Sequence, residues 1–262
     1  MLMAMAKPSV SELWLRPCGR VPLAPRLRLV CFPHAGGTAQ AFRSWPERLP
    51  PGTGMFAVQY PGRQDRFSEP LIDDIDGLTG PLVAALEPFV GEPLVLLGHS
   101  MGAFVAYETT VELERRHGRV VDQLVVSGVC PPHRKPPHQV HRQSDEALVA
   151  DVRRVNASFA DLLANPELMR VLLPMIRADY RLSETYRRDE PVPVEARLLA
   201  AGGIEDSEVG RQGLLAWSSC AAGHFEVLVQ PGGHFYLFDD ADAFTASLAE
   251  RLPGGALWSP AG

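Results

Sequence analysis

Two glycines bracket a serine at Gly98-His99-Ser100-Met101-Gly102, directly after the apolar run Leu94-Val95-Leu96-Leu97 and directly before the helix-like Ala103-Phe104-Val105-Ala106-Tyr107-Glu108. No other stretch constrains the chain so strongly, because this one reads as a strand, a sharp turn and a helix. Such a turn brings strand and helix backbones too close for a Cβ on either side, which is why a glycine stands at each position. The serine between them is left on a strained turn with its hydroxyl exposed, the arrangement of a nucleophile elbow. The plainer alternative is a glycine-rich turn with an idle serine, and the rest of the chain decides between the two.

Around this centre, apolar runs of strand length alternate with helix-period segments. Strands are predicted at 27–32, 54–59, 94–97, 123–127, 196–200 and 225–229, and helices near 38–49, 74–90, 101–117, 210–221 and 240–251. A sheet built from continuous apolar runs must be covered on both faces, so the fold class is α/β, a mostly parallel sheet flanked by helices. The rhythm breaks between Cys130 and Pro193, where a proline-rich, basic stretch from Pro131 to Arg142 leads into two helical patterns. In the first, Ser144 can cap, Asp145 and Glu146 suit the positive end of the helix dipole, and Leu148, Val152, Val155, Phe159 and Leu162 recur at helical spacing. Asn165-Pro166 forms the N-cap and first-turn proline of a second helix, which Pro174 is expected to kink or split. Residues 131–192 are read as a helical insertion over the sheet, within a single domain spanning 1–262.

The 262 residues are 46% hydrophobic and 21% charged, enough to bury a sizeable core. A net charge of −6 and a pI near 5.8, without a basic block to neutralise a phosphate backbone, argue against a nucleic-acid partner. No apolar run approaches membrane-spanning length, and Met1 to Lys7 carries too short an apolar stretch for a signal peptide, with its lysine after the stretch rather than before it. Cys18, Cys31, Cys130 and Cys220 are scattered without C-x-x-C or metal-ligand spacing. Reduced thiols in a cytoplasmic location and no metal are therefore expected. No membrane partner, no cofactor and a monomeric state are expected as well.

A serine hydroxyl is a poor nucleophile until a base takes its proton, and that base needs an orienting carboxylate. His234, in Pro231-Gly232-Gly233-His234-Phe235, follows the last predicted strand, where a loop can aim a side chain at the serine. His99 is held inside the turn and His34 lies near the end of the first strand, while His117, His133, His138, His141 and His224 sit in polar or proline-rich stretches. For the acid, Gly202-Gly203-Ile204-Glu205-Asp206-Ser207 follows the predicted strand that ends at Ala200. Glu205 and Asp206 both qualify, and either could instead cap the following helix. The turn after the preceding strand, Val129-Cys130-Pro131-Pro132, has no carboxylate. The order serine, acid, histidine is that of the α/β-hydrolase fold. An oxyanion hole in that fold uses backbone N–H groups from the residue after the serine, here Met101, and from the loop after the first strand, Phe32-Pro33-His34-Ala35-Gly36-Gly37, where Ala35 is the best candidate.

Taken together, these segments resemble the type II thioesterases, the discrete editing enzymes that accompany modular polyketide and non-ribosomal peptide synthases. The matching stretches are Cys31 to Gly37, Gln59-Tyr60-Pro61-Gly62-Arg63, Gly98 to Gly102, Leu173-Pro174 with Arg177-Ala178-Asp179, Glu205-Asp206, Trp217 and Pro231 to Phe235. The resemblance implies hydrolysis of acyl groups from the phosphopantetheine arm of an acyl or peptidyl carrier protein, through an acyl-serine intermediate, to remove aberrant or stalled units. It makes Ser100 the nucleophile, His234 the base, Asp206 the acid, the Ala35 and Met101 amides the oxyanion donors, and the insertion a lid. The chain departs from the family's frequent Asp-Asp-Pro at Glu205-Asp206-Ser207 and from its Arg-Glu at Arg63-Gln64. Composition and spacing alone show a serine hydrolase. A small-molecule carboxylesterase or other acyl-transfer enzyme on the same fold is the alternative, and a non-catalytic acyl-binding scaffold the third reading. Two further expectations concern the insertion. Phe159, Leu163, Leu172, Met175 and Ile176 are expected to wall an apolar chamber over Ser100, although each could equally anchor the insertion to the core. Arg134, Lys135 and Arg142 form the nearest basic group for docking an acidic carrier protein, with a plain solvated loop as the alternative.

Overall fold

The computed structural model describes residues 9–156, 161 and 163–254. Seven strands, β1 Leu15–Pro17, β2 Leu27–Phe32, β3 Thr53–Val58, β4 Leu94–His99, β5 Gln123–Ser127, β6 Arg197–Gly203 and β7 Phe225–Gln230, form one sheet in the order β1-β3-β2-β4-β5-β6-β7. All pairings are parallel except that of β1, which runs antiparallel to β3. The helices are α1 Val10–Trp14, α2 Ile75–Leu86, α3 Met101–His117, α4 Asp145–Val155, α5 Pro166–Thr185, α6 Arg211–Leu215, α7 Tyr236–Asp239 and α8 Ala241–Ala249. Among the described residues, no helix is long and apolar enough to cross a membrane.

The two-residue period of the strands sorts their side chains into two cores. Val30, Phe32, Leu94, Leu96, Leu124, Val126, Leu198 and Ala200 face one side, where residues of α2 and α3 cover them. Leu29, Cys31, Val95, Leu97, Val125, Leu199 and Ala201 face the other, against Phe42, Trp45 and Phe244 and Leu248 of α8. Burial on both faces explains why these strands read as unbroken apolar runs, and the result is the α/β-hydrolase arrangement expected from the sequence.

Two local expectations are corrected, and two elements are new. The segment 38–49 is not an α-helix but two 3-10 turns, Ala39–Phe42 and Pro46–Arg48. Its buried residues Ala39, Phe42 and Trp45 recur every three positions, the repeat of a 3-10 helix, whose side chains eclipse at that spacing. Pro174 does not split the second helix of the insertion, because α5 runs through it. Pro174 and Arg170, whose carbonyl loses its helical donor, are both exposed residues, while Leu173, Met175 and Ile176 stay buried. The strand β1 and the helix α1 before it, short and close to the chain's start, were not anticipated.

Between β5 and β6, α4 and α5 rise over the sheet with a small core of their own, formed by Leu148, Val152, Leu163, Leu173, Met175 and Ile176. Ser144 caps α4 by accepting the Ala147 N–H at 3.3 Å, and Asn165 caps α5 by accepting the Glu167 N–H at 2.9 Å. Phe159 and Leu162 lie outside the described residues.

Candidate active site

After β2 the chain moves to β3 on one side, and β4 then returns to the other side of β2. The loops leaving β2 and β4 therefore diverge above the sheet and open a crevice at the strand ends, where open α/β sheets bind ligands. Ser100 stands on the β4 side of this crevice and the loop 33–37 on the β2 side, since Phe32 pairs with Gly98.

Backbone proximity shapes the serine turn. A Cβ on Gly98 would lie 2.1 Å from the Gly102 carbonyl oxygen, and one on Gly102 would lie 2.1 Å from that of Phe32. Ser100, between them, holds φ at 55° and ψ at −123°, a region that residues with a side chain rarely occupy. Its N–H donates to the Ser127 carbonyl at 2.8 Å, tying the turn to the end of β5.

The Ser100 Oγ lies 3.0 Å from His234 Nε2, and His234 Nδ1 lies 3.0 Å from each Asp206 carboxylate oxygen. The Asp206 carboxylate has no exposed surface and also accepts the Glu208 N–H at 2.8 Å. Of the two neighbouring acids, Asp206 meets the imidazole. Glu205 instead points outward and accepts the Gly232 N–H at 2.6 Å, holding the loop from which His234 projects. That loop also crosses β6 closely: a Cβ on Gly203 would fall 2.2 Å from the Gly232 carbonyl oxygen.

Two more histidines surround this line, His99 fully buried and His34 half-buried. The His99 ring lies 4.9 Å from that of His234, with its Nδ1 3.0 Å from Ser127 Oγ, which in turn lies 2.8 Å from the Tyr236 hydroxyl. Burial first, then the neighbouring imidazoles, holds His99 well below the usual histidine range. Burial, His234 and Arg63 push His34 down to about 3. Both stay neutral, so any positive charge that develops on His234 has no cationic imidazole beside it.

The loop 33–37 is braced from the insertion. The Arg63 guanidinium holds both oxygens of Asp179 on α5 at 2.8 Å, and the pair is only 4% and 2% exposed. Asp179 Oδ2 also accepts the Gly36 N–H at 2.7 Å, while Arg63 donates to the Gly37 carbonyl at 3.1 Å. The sequence offered these residues only as matched positions. They stand 116 residues apart, and no spacing rule joins an arginine after Pro-Gly to an aspartate on a later helix. Ala35, next to Gly36, lines the same cavity as Ser100 and His234. Neither the Ala35 nor the Met101 N–H has an acceptor among the described residues.

The cavity over Ser100 has a volume of about 130 Å³ and is walled by Phe104, Val129, Lys135 and Tyr180, among others. A smaller recess beside it shares Val155 and adds Val152 and Ile176. Of the expected chamber residues, only Ile176 therefore borders the serine among the described residues. Leu172 and Met175 line a separate groove with Gly36, Gly37, Arg63 and Phe67, and Leu163 is spent in the core of the insertion. The helical repeat accounts for this: residues 172 and 175 share one face of α5, and 176 and 180 the adjacent one. Arg134 and Arg142 are exposed as expected, but Lys135 turns inward to the cavity instead of joining them.

Comparisons with known proteins agree with this geometry. The thioesterase domain family model matches residues 27–252. The chain is 37% identical over 243 residues to Thioesterase PikA5 of Streptomyces venezuelae, covering 92% of this chain and 86% of that one. It is 36% identical over 229 residues to a probable cadicidin biosynthesis thioesterase of Streptomyces griseus, covering 87% of this chain but only 63% of that relative. The solved structure of the type II thioesterase BorB from the borrelidin biosynthetic cluster superposes with a TM-score of 0.83 at 38% identity, over 92% of this chain and 98% of that one. A match that runs from β2 past α8, and takes in the serine, the acid and the histidine alike, makes this chain a member of the thioesterase family.

Proposed function

We propose that the protein is a type II thioesterase that hydrolyses acyl groups from the phosphopantetheine arm of acyl or peptidyl carrier proteins, clearing aberrant or stalled units from a polyketide or non-ribosomal peptide synthase. The observation that carries this reading is the unbroken hydrogen-bonded line from Ser100 through His234 to Asp206, in a chain that resembles thioesterases of such pathways over nearly its full length. In this mechanism Ser100 Oγ attacks the thioester carbonyl carbon while His234 Nε2 takes its proton. Asp206 holds the Nδ1 tautomer and stabilises the imidazolium. The Ala35 and Met101 N–H groups, which have no other acceptor among the described residues, receive the oxyanion. The C–S bond then breaks and the pantetheine sulfur takes the proton from His234. Water, deprotonated by the same imidazole, attacks the acyl-serine and releases the carboxylic acid, and Ser100 regains its proton.

The segment 131–192 acts as a lid, and the enzyme works as a cytoplasmic monomer beside its synthase. Cys18, Cys31, Cys130 and Cys220 are all unpaired, which suits a reducing compartment. Turnover of acyl-carrier protein, the matching acyl-pantetheine and a simple oxygen ester tests the assignment, with carrier protein expected to be the best substrate. An oxygen ester hydrolysed best would make the protein a carboxylesterase. Ser100→Ala is expected to lower kcat by about a million-fold with little change in melting temperature, and a fluorophosphonate should label Ser100 alone.

A further inference from the structure

The cavity over Ser100 contains a charge that the reaction above leaves unused. Lys135 follows the 3-10 turn Pro132–Arg134 at the start of the insertion, and its side chain runs inward to the wall that it shares with Ser100, Ala35 and His234. Its ammonium nitrogen is buried and has no hydrogen-bond partner among the described residues. It lies 5.2 Å from the centroid of the Phe104 ring, a contact that supplies attraction but no acceptor. Phe104 comes four residues after Ser100, about 6 Å along the axis of α3. The ammonium thus stands within reach of a short group attached at the serine, with three N–H donors to satisfy. Glu184, an acid on the same cavity wall, is already engaged by the Val140 and His141 N–H groups and by the His141 ring. Burial and the neighbouring Arg187 pull the Lys135 ammonium down to about 8 against the opposing influence of Glu184 and Cys130, so it keeps its proton at neutral pH.

The space itself is small. At about 130 Å³ it compares with an apolar cavity of roughly 150 Å³ that accepts benzene, which suits an acyl group of about six heavy atoms. An alkyl chain filling it would leave the ammonium without any acceptor, at a substantial desolvation cost. An acyl group with an oxygen beyond the thioester carbonyl would complete the site. The amide carbonyls of a pantetheine arm could offer the same chemistry, but the arm must enter past the exposed rim of Pro136, His138, Arg154 and Glu208, whereas the ammonium is buried beside Phe104 and Glu184.

We propose that Lys135 is a specificity-determining residue that selects short acyl groups bearing a carboxylate, keto or hydroxyl oxygen over alkyl groups of the same size. The proposal rests on the thioester hydrolysis set out above. It is tested by kcat/KM for butyryl-, 3-hydroxybutyryl-, acetoacetyl- and malonyl-pantetheine, each divided by that ester's rate with hydroxide, and by the same acyl groups on ethanethiol, which lacks the arm's amides. The oxygen-bearing groups are expected to exceed butyryl by about 10- to 100-fold, the size of one hydrogen bond to a charged group, on both thiols. Lys135→Met keeps the stem but removes the donors, and should erase this ratio while butyryl turnover rises. Lys135→Arg should keep part of the ratio, and decides the matter together with the wild type if the methionine variant melts early. Equal rates in the wild type, or a preference that survives in a well-folded Lys135→Met, overturns the proposal. So does a preference that vanishes on ethanethiol esters, which would assign the ammonium to the arm. Failure to hydrolyse any of the thioesters would refute the activity itself instead.

Discussion

At the ends of β4 and β6 the chain is positioned by contacts between backbones, whereas the insertion above them is positioned by charge. Gly98, Gly102 and Gly203 each sit where a single added carbon would meet a carbonyl at 2.1 or 2.2 Å, so the floor of the site has one shape or none. The insertion has a small core, but polar side chains also tie it down: the buried ion pair of Asp179 with Arg63, the contact of Glu184 with His141, and the partly exposed ion pair of Glu108 with Arg188. In the first turns of α5, Leu168 and Val171 remain 41% and 47% exposed. Close backbone contact fixes chemistry and tolerates no adjustment. Paired charges fix a position that one altered side chain can release. Substitutions in the floor should therefore act on rate, and those in the insertion on stability, on the choice of substrate and, where they brace the loop 33–37, on rate as well.

The largest effect that tests this contrast lies within the floor. Asp206→Asn is expected to lower kcat about 10,000-fold by losing the tautomer that aims Nε2 at Ser100, while Glu205→Gln, which only slackens a loop, lowers it a few-fold. Steady-state kinetics on one thioester decides this, and a larger loss in Glu205→Gln would exchange the two roles. Second in size is the brace. Asp179→Ala strands a buried guanidinium and should destabilise the fold by about 3–5 kcal/mol, read from urea unfolding. Arg63→Met combined with Asp179→Leu should recover most of that stability, because a well-packed apolar pair can replace a buried ion pair. Activity should stay low in the double variant, since the Gly36 N–H still lacks its acceptor; full activity would make the pair purely structural. The smallest effect separates two neighbours on α5. Ile176→Ala should shift the acyl-length profile of kcat/KM toward bulkier groups by about 10-fold. Met175→Ala, on the groove side, should lower stability and all rates together.

The same contrast explains what could be read from the sequence. The strands were legible because burial on both faces leaves unbroken apolar runs, and the serine turn because close backbone approach demands glycine at fixed spacing. Segment 38–49 forms 3-10 turns where a helix was expected because its apolar residues recur every three positions, a spacing too near the α-helical period to separate the two. At the site, Ser100 and His234 follow from strand ends. Glu205 and Asp206 did not separate, since two adjacent carboxylates differ only in the direction they point. Asp179, Arg63 and Lys135 were invisible as a set of interior charges, because a charged residue looks the same in sequence whether it faces water or turns inward. Only the fold that brings α5 over the loop 33–37 gives those residues their partners, or withholds one.

The backbone of Ser100 has a consequence for how this protein can change. A serine at φ 55° and ψ −123° carries strain of about 1–3 kcal/mol that a glycine would not. The folded state is thus held below its attainable stability at one residue, and the variant that relieves the strain has no hydroxyl with which to attack. Drift toward a more stable chain leads directly away from activity at this position, so the serine persists only while hydrolysis is under selection. A descendant freed from that demand would be expected to lose its nucleophile early and to become sturdier when it did.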